Sequence, residues 1–221
     1  MKRAIIGCSM IKEDIEKLLE NLSYEADIFW LDEHLHAVPS RLHDALQEKI
    51  DELKDYDEII LTYMLCGNAL LDICSETSTL RFLRGDDCIY ADLCLREDYS
   101  QVRFASIFLS HGWLGTERNG LTEYEKTVER YGEKRARHIW DVMYKNYKNL
   151  VYMKLDSDDE TIPEEDRERV ERMAELTNLE IKCLRGSTEM YARLLALQED
   201  PGIAVIEKGH KITAEDTRAV K

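Results

Sequence analysis

The sequence predicts an α/β fold of three layers, in which a mostly parallel sheet carries helices on both faces in a Rossmann-like arrangement. Two observations predict it. Short apolar runs alternate with amphipathic stretches along almost the whole chain. Several of these runs are continuously rich in Ile and Leu, which is typical of strands covered on both faces.

The first half of the chain gives the clearest elements. Arg3–Gly7 reads as a buried strand, and the apolar residues of 11–22 then recur at helical spacing. Pro39 indicates the start of a helix over Ser40–Leu53, and a further helix is expected to begin at Asn68. The remaining elements predicted here are strands at Asp27–Leu31 and Asp57–Tyr63.

The same criteria extend to the second half. Thr161 and Glu164 form a capping-box pattern around Pro163, which predicts a helix start. The predicted helices are 122–147, 163–177 and 187–197, and the predicted strands are Leu80–Leu83, Ala105–Leu109, Leu150–Lys154, Leu179–Lys182 and Ile203–Ile206.

Length and charge limit the class of protein. The 221 residues predict one α/β domain over 1–206 and a polar tail over 207–221. The formal charge of -15 argues against nucleic acid or an anionic membrane as a partner, because phosphate binding needs local positive charge. The apolar N-terminal run is too short for a signal peptide or a membrane span, so we expect a cytoplasmic protein. The sequence is compatible with a homo-oligomer.

Thiols and one imidazole recur at the ends of predicted strands. Cys8, Cys66, Cys88 and Cys183 each follow such a strand, and so does His111. Ligands bind at the carboxyl ends of parallel strands, so these side chains are expected to meet at one edge of the sheet. In a reducing compartment, such cysteines are metal ligands, nucleophiles or small core residues rather than disulfides.

Three thiolates and one imidazole are a typical zinc environment, which predicts Cys8, Cys66 and Cys88 as ligands with His111 or Cys183 as the fourth. An iron–sulfur cluster would favour Cys183 over His111.

Other residues near these strand ends are expected to assist. His111 and Asp87 are the candidate catalytic groups. A structural or capping role explains His111 equally well, and capping of the following helix is the default role for Asp87. Gly67, Asn68 and Gly112 are candidate cofactor-binding positions, since glycine allows close approach of the backbone.

A second, weaker pattern is the stretch Asp32–His36. Its two histidines and neighbouring carboxylates would suit a metal, and His34 would suit the axial position of a corrinoid, although Ala37 stands where that signature has glycine. The dinucleotide, P-loop, serine-esterase and zincin signatures are missing from the sequence.

The segments Leu65–Asn68, Asp87–Ile89 and Gly112–Trp113, together with Cys8, are similar to a conserved family of unknown function. That family occurs in anaerobic bacteria and methanogenic archaea, frequently near genes for corrinoid-dependent methyltransferases. The resemblance covers roughly residues 3–195, and this chain has Asp86 where the family usually has histidine. It implies a place in methyl transfer and one-carbon metabolism.

Three functions are therefore expected in this order. The first is a zinc-thiolate enzyme that activates a thiol substrate or serves methyl transfer. The second is a binding protein for a corrinoid, an iron–sulfur cluster or a methyltransferase component. The third is a metal-free enzyme in which Cys66 is the nucleophile, assisted by His111 or Asp87.

Overall fold

The computed structural model describes residues 1–117 and 119–220. The predicted α/β class is confirmed: two sheets, parallel but for one strand, are surrounded by helices in a Rossmann-like three-layer arrangement. The chain divides into two compact units, of which unit 1 is Met1–Asp92 with Thr188–Lys221 and unit 2 is Leu93–Ser187. The single domain expected over 1–206 stays a prediction.

The strands and helices alternate along part of the chain. In chain order the strands are β1 (Arg3–Cys8), β2 (Asp27–Leu31), β3 (Glu58–Leu61), β4 (Thr79–Leu83), β5 (Ser106–Leu109), β6 (Asn149–Leu155), β7 (Glu180–Gly186) and β8 (Ile203–Ile206). The α-helices are α1 (Lys12–Leu19), α2 (Pro39–Glu52), α3 (Cys88–Leu93), α4 (Tyr99–Arg103), α5 (His111–Gly115), α6 (Gly120–Tyr131), α7 (Glu133–Tyr144), α8 (Glu164–Thr177) and α9 (Glu189–Leu195). In the part of the chain that is described, no helix combines the length and the hydropathy needed to cross a bilayer.

Unit 1 is built on a five-stranded sheet in the order β2-β1-β3-β4-β8. The first four strands are parallel, and β8 pairs with β4 in the antiparallel direction. Leu42, Leu46 and Ile50 form the apolar face of α2 and belong to the same buried cluster as residues of β1, β3 and β4. The carboxyl ends of β1, β3 and β4 therefore lie side by side on a well-packed core.

The C-terminal segment of unit 1 packs on that core although most of its residues are polar. Ile212 is only 1% exposed and belongs to the main buried cluster. Its carbonyl accepts from the Asp72 amide at 2.9 Å, and its amide donates to the Ile73 carbonyl at 2.9 Å. One apolar side chain and two backbone hydrogen bonds thus fix the segment.

Unit 2 contains a three-stranded parallel sheet in the order β5-β6-β7. Leu109 of β5 and Tyr152 of β6 pack with Val170 and Met173 of α8 in one buried cluster. The apolar spacing of α8 therefore places its first turn close to the carboxyl ends of β5 and β6.

Three local predictions are wrong. The helix expected over 122–147 is broken at Gly132, whose φ of 80° ends α6 and starts α7. No helix starts at Asn68, where the chain forms turns. The capping box at α8 does not form, because the Thr161 hydroxyl donates to Asp159 at 2.6 Å and Pro163 is the N-cap.

Candidate metal centre

Three of the predicted cysteine ligands lie at neighbouring strand ends in unit 1. Cys8 is the last residue of β1, Cys66 lies in the loop after β3, and Cys88 opens α3 after β4. These strands are adjacent and parallel, so their carboxyl ends share one edge. The Cys8 amide also donates to the Thr62 hydroxyl at 3.3 Å, which ties the end of β1 to that of β3. We call Cys8, Cys66 and Cys88 the thiol cluster.

Backbone hydrogen bonds hold the loops that carry Cys66 and Cys88. The Leu65 amide donates to the Gly85 carbonyl at 3.1 Å, and the Cys66 amide donates to the Asp86 carbonyl at 2.8 Å. These two hydrogen bonds join the loop after β3 to the turn that leads into α3. The position of Cys66 relative to this turn is therefore fixed by the main chain and not only by side-chain packing.

The loop after β3 adopts an unusual backbone. Cys66, Gly67 and Asn68 have φ angles of 43°, 68° and 76°, three left-handed residues in succession. A Cβ on Gly67 would lie 2.8 Å from Cγ of Pro39, so glycine is required there by space as well as by conformation. A left-handed cysteine costs energy, and such strain persists mainly where the surroundings or the function require it.

Burial and mutual proximity govern the acidity of the thiol cluster. Burial raises the pKa of Cys8, although the Met10 amide and the Tyr63 hydroxyl, which both hydrogen-bond the thiol, partly offset it. Burial raises the pKa of Cys66 to about 12, and Cys8 adds to the increase. The pKa of Cys88 is raised well above its usual value by burial, then by Asp92, Cys66 and other neighbouring groups. Without a cation, these thiols hold their protons at neutral pH.

A buried tyrosine hydroxyl lies beside the cluster. Tyr191 of α9 is 2% exposed, and its hydroxyl has no hydrogen-bond partner among the described residues. Burial raises its pKa well above the usual value, and Asp92 and all three thiols of the cluster raise it further. Buried hydroxyls are normally hydrogen-bonded, so that of Tyr191 is an exception in the described part of the chain.

The sulfur atoms stand farther apart than in a loaded metal site. Within the described residues, the one group of three potential ligands with all atoms inside 4.8 Å is Asp32, Glu33 and His34. Sulfurs around tetrahedral zinc lie about 3.8 Å apart, so the thiol cluster needs side-chain rotation to close on an ion. In the acidic group, Asp32 caps a short 3-10 helix by accepting from the His34 amide at 2.7 Å, and Ser9 binds Glu33. Capping and this contact already account for both carboxylates.

The predicted imidazole ligand, His111, lies in unit 2, where it contacts the carboxylate of Asp166. The Asp166 carboxylate, 0% exposed, binds His111 Nδ1 at 2.8 Å and accepts from the Tyr152 hydroxyl at 2.6 Å. Arg169 donates to its other oxygen at 2.8 Å and to the Leu114 carbonyl at 2.8 Å. Burial raises the pKa of Asp166, but the hydrogen bonds from Tyr152 and His111 outweigh it and keep the pKa below its usual value. An ionised Asp166 requires a proton on His111 Nδ1.

The other residues predicted for unit 2 occupy ordinary positions. Cys183 lies within β7 rather than after it, because that strand runs on to Gly186. It is paired with Tyr152 of β6 and packs on the hydrophobic cluster of unit 2, where burial raises its pKa. Gly112 is the second residue of α5. These placements give Cys183 the environment of a small core side chain.

Three further residues differ in whether the sequence could indicate their roles. Asp87 accepts from the Tyr90 amide at 3.1 Å, which is the capping alternative considered for it. Tyr191 and Asp166 were missed, because a tyrosine in an amphipathic helix and an aspartate in a charged first turn carry no local signal. Only the tertiary fold brings them to a thiol cluster and to a histidine.

Fold and site together define an α/β protein in which three cysteines follow adjacent parallel strands of one sheet. The chain belongs to the family described as protein of unknown function, DUF1638, whose profile matches residues 30–195. No curated protein and no solved structure matches the chain.

Proposed function

We propose that the thiol cluster binds a thiophilic transition metal, zinc in the first place, and that the resulting centre activates a thiol in methyl-group or one-carbon chemistry. The observation that carries the proposal is the convergence of Cys8, Cys66 and Cys88 from three adjacent parallel strands. Each of Cys66 and Cys88 also has its pKa raised by neighbouring thiols, after the larger effect of burial. Zinc supplies the charge that such thiols need in order to ionise.

The protonation of the thiols favours a metal over a free nucleophile. A catalytic cysteine without metal needs a pKa lowered by a cation, a histidine or a helix N-terminus. Cys66, the candidate for that role, instead has its pKa raised to about 12 by burial. A divalent ion would replace the thiol protons. The burial that raises the pKa of the free thiols would then shield the metal–sulfur bonds from water.

Methyl transfer is the chemistry for which a zinc thiolate is suited. Zinc bound by three protein ligands keeps one position open, and a thiol bound there loses its proton and becomes a nucleophile. The resemblance to a family encoded near corrinoid-dependent methyltransferases supports methyl groups as what this nucleophile accepts. A corrinoid, an iron–sulfur cluster or a methyltransferase component as the bound partner is the alternative, with the cysteines then serving binding alone.

The test is metal content and the absorption spectrum of anaerobically purified protein, compared with Cys66→Ser, Cys88→Ser and the control Cys74→Ser. Cys74 lies in the same unit and its thiol contacts only Glu76 at 3.8 Å among the hydrogen bonds described. About one zinc per chain, lost in the first two variants and kept in the control, is expected.

Other outcomes separate the alternatives. A brown, iron-containing protein would indicate an iron–sulfur cluster instead of zinc. A corrinoid absorption spectrum would favour a binding protein over an enzyme. Metal-free protein with three variants that behave like the wild type would refute the site.

A further inference from the structure

The C-terminal segment of unit 1 continues beyond Ile212 as a turn over residues 213–218, which we call the strap. Within it, the amide and the hydroxyl of Thr213 donate to the Asp216 carboxylate at 2.9 Å and 2.6 Å. Thr217 is only 4% exposed, Asp216 is partly buried, and the other four residues of the strap are exposed. Hydrogen bonds, and not an apolar face, therefore hold the strap in place.

The strap contacts the turn that leads from β4 into α3. The guanidinium of Arg84, the first residue after β4, donates to the Glu215 carbonyl at 3.1 Å and to the Asp216 carbonyl at 2.7 Å. The amide of Gly85 donates to the Thr217 carbonyl at 2.9 Å. Three hydrogen bonds thus run from this turn to three successive carbonyls of the strap.

Gly85 connects the strap to two of the cysteines. Its carbonyl accepts from the Leu65 amide at 3.1 Å, and the next carbonyl, that of Asp86, accepts from the Cys66 amide at 2.8 Å. Cys88 follows two residues later as the first residue of α3. Gly85 is buried, so detachment of the strap would leave its amide without an acceptor, which is costly. The turn should therefore move towards water when the strap detaches, and its link to the Cys66 loop should loosen.

We infer that the strap controls access to Cys66 and Cys88: attached, it holds the turn before α3 closed, and detached, it opens both thiols to small electrophiles and metal ions in solution. Segments with few buried apolar contacts open at a lower free energy than the whole fold. Ile212, which is 1% exposed, stays in the core, so the strap can detach and return without unfolding of the sheet. This control requires no bound metal and is therefore independent of the proposed function.

The experiment measures the rate at which N-ethylmaleimide labels each cysteine of the metal-free full chain, resolved by mass spectrometry of its peptides. Wild type is compared with Arg84→Met, which removes two of the three hydrogen bonds to the strap, and with the control Glu215→Ala, which keeps the carbonyl that Arg84 contacts. We expect Cys66 and Cys88 to be labelled about tenfold faster in Arg84→Met and less than twofold faster in Glu215→Ala. Cys183 of unit 2 is the internal reference and should be labelled at one rate in all proteins.

The dependence on urea separates detachment of the strap from unfolding of the whole protein. Below the unfolding transition, labelling of Cys66 and Cys88 should depend only weakly on urea, because detachment exposes little surface. Asp216→Ala is a second variant that should also be labelled faster, since it removes the acceptor of both Thr213 donors inside the strap and leaves the residues of the turn before α3 unchanged.

Unchanged rates at both cysteines in folded Arg84→Met and Asp216→Ala would overturn the inference. An equal acceleration at Cys183 would do the same, because the variants would then act through global stability. The inference also fails if labelling of the wild type rises with urea as steeply as global unfolding does.

Discussion

Replacing Asp166 by asparagine tests the hydrogen-bond network of unit 2 directly. The carboxylate is completely buried and accepts from three donors, the Tyr152 hydroxyl, His111 Nδ1 and the Arg169 guanidinium. Asparagine keeps the volume but has one acceptor oxygen and one NH₂ group. At least one of the three donors then faces another donor, and Arg169 loses its buried counter-charge.

The magnitude follows from these contacts. A hydrogen bond to a charged group contributes about 1.5–3 kcal/mol, and Asp166→Asn removes the equivalent of two. Arg169 is 38% exposed and His111 is 53% exposed, so solvent replaces part of what these two donors lose. We therefore expect a loss of about 2–4 kcal/mol in the free energy of unfolding, which is a large part of the stability of an ordinary domain.

The assay is urea unfolding followed by circular dichroism, with Asp159→Asn as the matched control. Asp159 also accepts hydrogen bonds, from Lys154 at 2.7 Å and from Thr161, but its side chain is 56% exposed. Solvent replaces the lost contacts there, so its effect should be much smaller. Equal losses in the two variants would refute the reasoning, because burial would then have no part in the contribution of Asp166.

Three further changes address the acid range, the loop after β3 and the C-terminal segment. The folded-state pKa of Asp166 is lowered, so its stabilising contribution is present above the ordinary carboxyl pKa and is lost as the pH falls through the folded value. Wild-type stability should therefore fall more steeply than that of Asp166→Asn below about pH 4 in urea titrations, and parallel curves would contradict this. Gly67→Ala forces a Cβ at a φ of 68° against Pro39 and should cost about 1–3 kcal/mol, checked by thermal unfolding, whereas an unchanged melting temperature would mean that the loop adapts. Ile212→Ala should cost about 2–4 kcal/mol in guanidinium unfolding, and a cost near zero would show that the segment is not part of the core.

Strand positions could be predicted from the sequence because each strand carries a short apolar run. β2 and β8 were predicted to the residue, as Asp27–Leu31 and Ile203–Ile206. The pairing of β8 could not be predicted in the same way. It lies antiparallel to β4, far away in sequence, and nothing within four apolar residues specifies a neighbour or a direction.

The wrong helix predictions have local causes that differ in kind. Gly132 stands within the helical pattern of the sequence and breaks the helix with a positive φ, so this break could have been predicted from the sequence. The turn at Cys66 and Asn68 was not, since Cys66, the first of its three left-handed residues, carries a side chain that usually avoids this conformation. Such strain is imposed by contacts from other parts of the fold, here the backbone hydrogen bond from Cys66 to Asp86.

That hydrogen bond also links the Cys66 loop to position 86 through the main chain. The Asp86 carbonyl, which every residue possesses, accepts the Cys66 amide at 2.8 Å and sets the distance between the two loops. A substitution at position 86 therefore leaves this backbone link between the two loops available.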